Sequence, residues 1–169
     1  SDAGTLKRID YSYIKGGGIT EADTWNMTSN FTTTTSEQLL DQNLSRATTK
    51  GFSVLGTGMT ESSGTWSFPS TGVWLVQAQA QWEAAQNTTY HGMRIYVTDD
   101  NSSYTLISNA NSGMQAGQYA NSSSITILDV TNTTNVKVKF YGISSPASTL
   151  GGSSSYKYTG FTFIRLGDT

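Results

Sequence analysis

Cysteine is absent from the 169-residue chain, proline occurs twice, histidine once, and only 13% of residues are Asp, Glu, Lys or Arg. The missing cysteines exclude disulfides and thiolate metal sites. They also count against a secreted eukaryotic module of the kind that relies on disulfides. The single histidine, His91, has no second imidazole or thiol with which to build a nucleophilic triad or a zinc site. Beside a strand it reads as structural. The charged share is well below the usual ~25%, the net charge is −2, and the Lys and Arg residues are scattered. No basic stripe is present to neutralise phosphates, which argues against nucleic acid as a partner. No apolar run approaches the ~20 residues of a membrane-spanning helix, so no membrane insertion is expected, and the first residues show no signal-peptide core. The chain opens on Ser1 rather than Met, as expected of one that is processed, tagged or cut from a longer protein.

Helical periodicity is also scarce. Glu37 to Leu44 (EQLLDQNL) offers one or two helical turns, and elsewhere the signal has period two. Polarity comes from 49 Ser and Thr and from 10 Asn, and aromatics are plentiful with 9 Tyr, 6 Phe and 4 Trp. A disordered chain has few aromatics and much charge, so this one folds, and its length suits one domain. Strands are expected over 93–98, 104–108, 123–130, 135–142 and 156–166, with shorter candidates over 9–14, 25–31, 51–55 and 65–68. Nine or ten strands with almost no helix indicate a β-sandwich. Residues 1–15 read as an N-terminal arm or first strand and 16–169 as the sandwich. The run Gly16-Gly17-Gly18 is either a hinge between them or a tight bend.

The stretch GTWSFPSTGVWLVQAQAQW, residues 64–82, is the most informative. Successive strand side chains point to opposite sides, so Trp74, Val76, Ala78, Ala80 and Trp82 share one face and Val73, Leu75, Gln77, Gln79 and Gln81 the other. The first set is expected in the core. Upstream, Phe68-Pro69-Ser70-Thr71 suits a type I turn, with Gly72 placed where a positive φ is often needed.

Alternation of antiparallel strands sorts the connections by end. The short turns Asp99–Ser103 and Thr131–Thr134 fall with the C-terminus. The long connections over 83–91, 109–122 and 143–155 fall at the opposite end, and clustered long loops on a rigid scaffold are where binding concentrates. Asn87, Thr88, Tyr90, Gln115, Gln118, Tyr119, Thr149 and Leu150 are therefore candidate receptor- or glycan-binding residues. Neutral hydroxyls and amides match sugar hydroxyls, and Tyr90 and Tyr119 offer faces for sugar rings.

No constellation for catalysis stands out. The carboxylates are dispersed, with Asp99-Asp100 the one adjacent pair, whereas glycosidases need two facing across a cleft. Asp99, Asn101 and Ser103 echo the start of a calcium loop, but Tyr104 replaces the required Gly and no closing Glu follows, so they read as a hairpin turn. The triple glycine lacks the Lys-Ser/Thr of a phosphate loop. Seven Asn-x-Ser/Thr sequons, from Asn26 to Asn132, read as polar turns. The chain is expected to be no enzyme and to need no cofactor or metal.

Two segments together carry a resemblance. Phe68-Pro69-Ser70-Thr71-Gly72-Val73-Trp74-Leu75-Val76 resembles the Pro-Gly turn and aromatic-aliphatic strand of the complement globular-head and tumour necrosis factor superfamily. Tyr158-Thr159-Gly160-Phe161-Thr162-Phe163-Ile164 is similar to that family's last strand. A narrower likeness covers roughly residues 9–169. The segments from Ile19 to Trp25, Gly56 to Gly64 and Phe163 to Thr169 resemble a domain of marine, cyanophage-type bacteriophage structural or tail-fibre proteins. The resemblance implies a ten-stranded jelly roll that assembles as a homotrimer, with the last strand beside the 73–82 strand in the inner sheet. Val73, Leu75, Gln77, Gln79, Gln81, Ile164 and Leu166 are then expected at the trimer interface. Gln serves there because a charge repeated around an axis would repel itself.

Two functions follow as expectations: a non-catalytic, trimeric fibre or tip domain that binds a host-surface glycan or protein, or a capsid decoration or knob. Either places the chain on a virion, among other virion proteins. A signalling or adhesion ligand of a cellular organism fits less well, for want of a signal peptide and cysteines.

Overall fold

A computed structural model describes residues 18–48 and 51–169. The arm or strand read over residues 1–15, including 9–14, and all of the glycine run except Gly18 lie outside the described residues. Thirteen strands follow: β1 Ala22–Met27, β2 Phe31–Thr32, β3 Gln38–Leu39, β4 Leu44–Arg46, β5 Thr60–Ser62, β6 Thr65–Ser67, β7 Gly72–Glu83, β8 Thr88–Thr98, β9 Thr105–Met114, β10 Tyr119–Val130, β11 Lys137–Ser145, β12 Thr149–Leu150 and β13 Gly160–Gly167. Only β2, β3 and β12 are two-residue pairings, which leaves ten longer strands. Among the described residues there is no helix.

All pairings are antiparallel and form two sheets. In sheet A, β10 lines one edge of β7 along its whole length. The other edge is shared, with β13 against Val73 to Gln79 and β12 against Trp82 and Glu83. β1 and then β4 continue beyond β13, and β2 lies outside β12. Sheet B runs β5-β6-β11-β8-β9, with β3 on the far end of β11. This is the sandwich expected from the strand pattern and the jelly roll that the resemblance implies, with the last strand beside the 73–82 strand.

The core forms because β7 alternates without a break, its even-numbered residues from Gly72 to Trp82 buried and its odd ones half-buried. Ala78 lies opposite Phe161 in register, and its small side chain leaves room for Phe161 to stack on Phe140 of sheet B at 3.9 Å. Trp66 stands at the centre, with ring contacts to Trp25, Phe140, Phe161 and Phe163. The strand starts where expected. Gly72 has φ +137°, and a Cβ there would lie 2.4 Å from the Gly167 carbonyl oxygen.

Residues 37–44 are not helical. Gln38 and Leu39 pair with β11, the Leu40 amide donates to the Phe140 carbonyl, and Leu40 is wholly buried. Two turns of helix are marginal alone, and burying Leu40 in the sandwich overrides that local preference. The candidate over 51–55 reduces to one bridge, Leu55 to Ala22, and the candidate over 25–31 divides into β1 and β2.

Two of the expected long loops are mostly strand. Residues 109–114 extend β9 and 119–122 extend β10, leaving Gln115–Gln118 as the connection, while 84–87 joins β7 to β8. Serine- and asparagine-rich strands carry a weak sequence signal because only neighbouring strands make them β. The long connection that remains is 151–159. The segments Ile19 to Trp25 and Gly56 to Gly64 meet as one clamp. Glu21 accepts from the amides of Thr57 and Gly58, and Asp23, buried, accepts from Met59, Trp25 and Arg46.

Candidate functional site

The outward face of sheet A follows from the registers. Opposed residues share a face, so the first row reads Ile127, Leu75, Ile164 and Ala22, and the next Ile125, Gln77, Thr162 and Thr24. Then come Ser123, Gln79, Gly160 and Asn26, then Asn121 and Gln81, then Tyr119, Glu83 and Thr149. Within about 27 Å along β7 the face passes from branched aliphatics to amides, hydroxyls and a tyrosine. All seven residues expected at a self-interface, Val73, Leu75, Gln77, Gln79, Gln81, Ile164 and Leu166, belong to this face. The sequence reading missed its most exposed aliphatic members, Ile125 at 55% and Ile127 at 63%, although the period-two pattern of SSITILDV sets them opposite Leu128 and Val130.

The segment 151–159 straps this face. Gly151 and Ser153 donate their amides to the carbonyls of Gln81 and Met27, and Gly152 donates to Asn30 Oδ1 at 2.9 Å. Gln79 Nε2 donates to the Lys157 carbonyl at 3.0 Å, and the Lys157 ammonium donates to Thr162 Oγ1. Burial under the strap holds Lys157 down to about 8 from the ordinary 10.5. Gln77 donates to Ser123 Oγ at 3.2 Å. Two of the three glutamines are therefore engaged within the chain rather than free for a partner.

Beside the strap, Asn30, Gln81, Glu83, Tyr119, Gly151 and Tyr158 enclose a groove of about 380 Å³, floored by Trp82. A second of about 300 Å³ lies on the other side of Tyr158, against Gln77, Gln79 and Asn121. Of the residues expected to bind, Tyr119 lines the first groove and is 65% exposed. Asn87 accepts from the Ala116 amide at 2.9 Å, joining the connections 84–87 and 115–118, both of which cross between the sheets. Gln115 and Gln118 are exposed in the neighbouring turn. Thr88 is committed to the backbone of Met114, and Thr149 contacts Thr32 Oγ1 at 3.3 Å. Tyr90 lies in sheet B opposite Ser145, in the other sheet from Tyr119. Leu150 is corrected: it is wholly buried in the core, because β12 pairs with β7 and turns its apolar side chain inward. Tyr158, Glu83 and Asn30 were missed. Tyr158 was read as part of the last strand, which begins only at Gly160, and the run Gly151 to Ser155 was the available signal for a loop there.

The outside of sheet B differs. Glu37 accepts from Arg94 and from the Tyr96 hydroxyl, each at 3.0 Å, Tyr96 contacts the Tyr141 ring at 4.8 Å, and Lys139 sits 4.1 Å over the Tyr104 ring. His91 is buried, with Nε2 2.7 Å from Ser112 Oγ and Nδ1 3.4 Å from Thr88 Oγ1. Burial lowers its pKa, and hydroxyls lie beside both nitrogens. Asp100 accepts from the Thr98 hydroxyl and from the amides of Ser102 and Ser103. Those bonds hold its carboxyl down to about 2 and close the Asp99–Ser103 hairpin turn. Among the described residues no three His, Cys, Asp or Glu side chains converge as metal ligands.

No family model matches the chain, and no curated protein matches it. Solved structures do. The chain is similar to an Eiger tumour necrosis factor from S. frugiperda at 12% identity, with a TM-score of 0.68 over 88% of this chain and 93% of that one. It is similar to the vertex protein P5 of PRD1 at 12% identity, with a TM-score of 0.57 over 89% of this chain and all of that one. The globular domain of zebrafish complement 1qA matches at 10% identity, with a TM-score of 0.56 over 88% of this chain and 99% of that one. The fold is the jelly roll shared by tumour necrosis factors and complement globular heads.

Proposed function

We propose that the chain is a non-catalytic virion module that assembles as a homotrimer through the outward face of sheet A and presents its Tyr119 end to a host surface. The observation that carries this is the aliphatic block of Ile125, Ile127, Leu75, Ile164 and Leu166. Exposed apolar patches bounded by polar residues mark interaction sites, and this block continues into Gln, Ser and Thr rows. Such neutral rows suit copies of one chain meeting around an axis, where like charges would repel. Three copies is the number that the sequence resemblance implies. The fold match to a phage vertex protein and the resemblance to marine phage structural proteins support a place in the virion. The complete burial of His91, out of reach of a substrate, supports a role without catalysis.

Immunogold labelling of purified particles tests the assignment. Label on the particle surface is expected, and absence of the chain from purified particles overturns it. The vertex-protein likeness favours a second reading, a capsid knob that attaches through the N-terminal residues and binds no receptor. Under the first reading purified trimer blocks host adsorption. Under the second it does not, and deleting residues 1–15 abolishes incorporation.

A further inference from the structure

We infer that the groove between Tyr119 and Tyr158 is a binding site for a neutral saccharide of about one or two rings. This deepens the host-binding reading and rests on it for biological context, but the chemistry is argued from the groove alone. At about 380 Å³ the groove falls at the small end of the range for small-molecule sites.

Its polar groups differ from those of the same face lower down. Gln77 and Gln79 direct their amides to Ser123 and Lys157. The side chains of Gln81 and Glu83, the next two outward positions on β7, have no hydrogen-bond partner among the described residues. Asn30 uses its carbonyl oxygen for the Gly152 amide, which leaves its NH₂ group to donate. Two unengaged amide donors, an amide acceptor and a carboxylate thus line one groove beside two tyrosines, an array suited to the alternating donors and acceptors of vicinal hydroxyls. The exposed ring of Tyr119 supplies an apolar surface for the C–H side of a sugar ring, while its hydroxyl stays wet.

Charge sets the class. Among the described residues the groove is lined by one carboxylate, Glu83, and by no Lys or Arg, so an acidic sugar or a phosphate meets repulsion without compensation. A small ammonium ligand would find Glu83 and aromatic faces, but it would leave the Asn30 and Gln81 donors unmatched in a groove larger than it needs.

Saturation-transfer NMR on the full chain tests this with neutral mono- and disaccharides of gluco, galacto, manno and N-acetyl type, with sialyllactose and with choline. At least one neutral sugar is expected to receive saturation. Tyr119→Ala should weaken it tenfold or more, Tyr119→Phe should largely preserve it, and Glu83→Gln should weaken it severalfold, each with an unchanged circular dichroism spectrum. Failure of every neutral sugar, equal or better binding of sialyllactose, binding of choline alone, or indifference to Tyr119→Ala overturns the inference. Adsorption of the purified protein to host cells is scored separately. Adsorption without sugar binding removes this site and leaves the host-binding reading, whereas sugar binding without adsorption does the reverse.

Discussion

On the outside of sheet B, Glu37 holds both Arg94 and Tyr96, and Lys139 covers Tyr104. On the outside of sheet A, Ile125 and Ile127 stand more than half exposed beside Leu75, Ile164 and Leu166. The first face has matched several polar groups within the chain, and the exposed apolar residues of its edge strand β9, Leu106 and Ile107, are less exposed than Ile125 and Ile127. The second leaves apolar area in water at roughly 25 cal/mol per Å², a cost that a second copy would relieve under the proposed assembly. Sheet A is itself divided, because beyond Gln79 its outward residues are polar and border the groove. One twelve-residue strand, β7, thus carries core on one face and, on the other, first the self-contact and then the binding surface that we propose.

The largest expected effect breaks this contrast at its apolar end. Ile127→Arg should raise the concentration at which the assembly dissociates by roughly two orders of magnitude, with unchanged circular dichroism, while Lys139→Ala on sheet B leaves the mass unaltered. Sedimentation velocity distinguishes them, and equal behaviour would dissolve the distinction between the faces. Next, Glu37→Ala strips two partly buried donors of their acceptor and should cost about 1–2 kcal/mol in urea unfolding without affecting assembly. Gln79→Glu loses the bond to the Lys157 carbonyl, for about 1 kcal/mol of fold stability, and places a charge in the polar rows. Its effect on the assembled mass should fall short of that of Ile127→Arg, and an equal or larger effect would move the interface towards the groove.

The smallest effect is a slope. Lys157 binds its proton less tightly folded, at about 8, than unfolded, at 10.5. Between those values the unfolded chain holds more protons, so stability rises with pH. Above about 10 the half-buried phenols of Tyr96, Tyr104 and Tyr141, all raised from 10.0, reverse the trend. Lys157→Met should flatten the rise between pH 8 and 10 and raise the thermal midpoint at pH 7. A slope that survives the substitution would show that the strap does not bury the amine.

Strict alternation made β7 legible, because residues 72–82 obey one period and their core face includes two tryptophans. The last strand was legible for the same reason, through Phe161 and Phe163. Residues 37–44 were misread because a local leucine spacing outweighed a tertiary fact, the place waiting for Leu40 beside Phe140. The serine-rich ends of β9 and β10 looked like loops, since their strand character comes from β8 and β7 rather than from their own side chains. The groove was half visible. Tyr119 stood out as an aromatic among polar residues, whereas Glu83 meets it through the β7–β10 register and Tyr158 through the path of the strap, neither of which any spacing in the sequence encodes.

The mass of the assembled chain in solution tests the central claim most directly. Size-exclusion chromatography with light scattering at micromolar concentration should give three times 18.2 kDa for the native sequence. A clean 18.2 kDa particle under the same conditions would contradict the claim that the outward face of sheet A is covered by copies of itself.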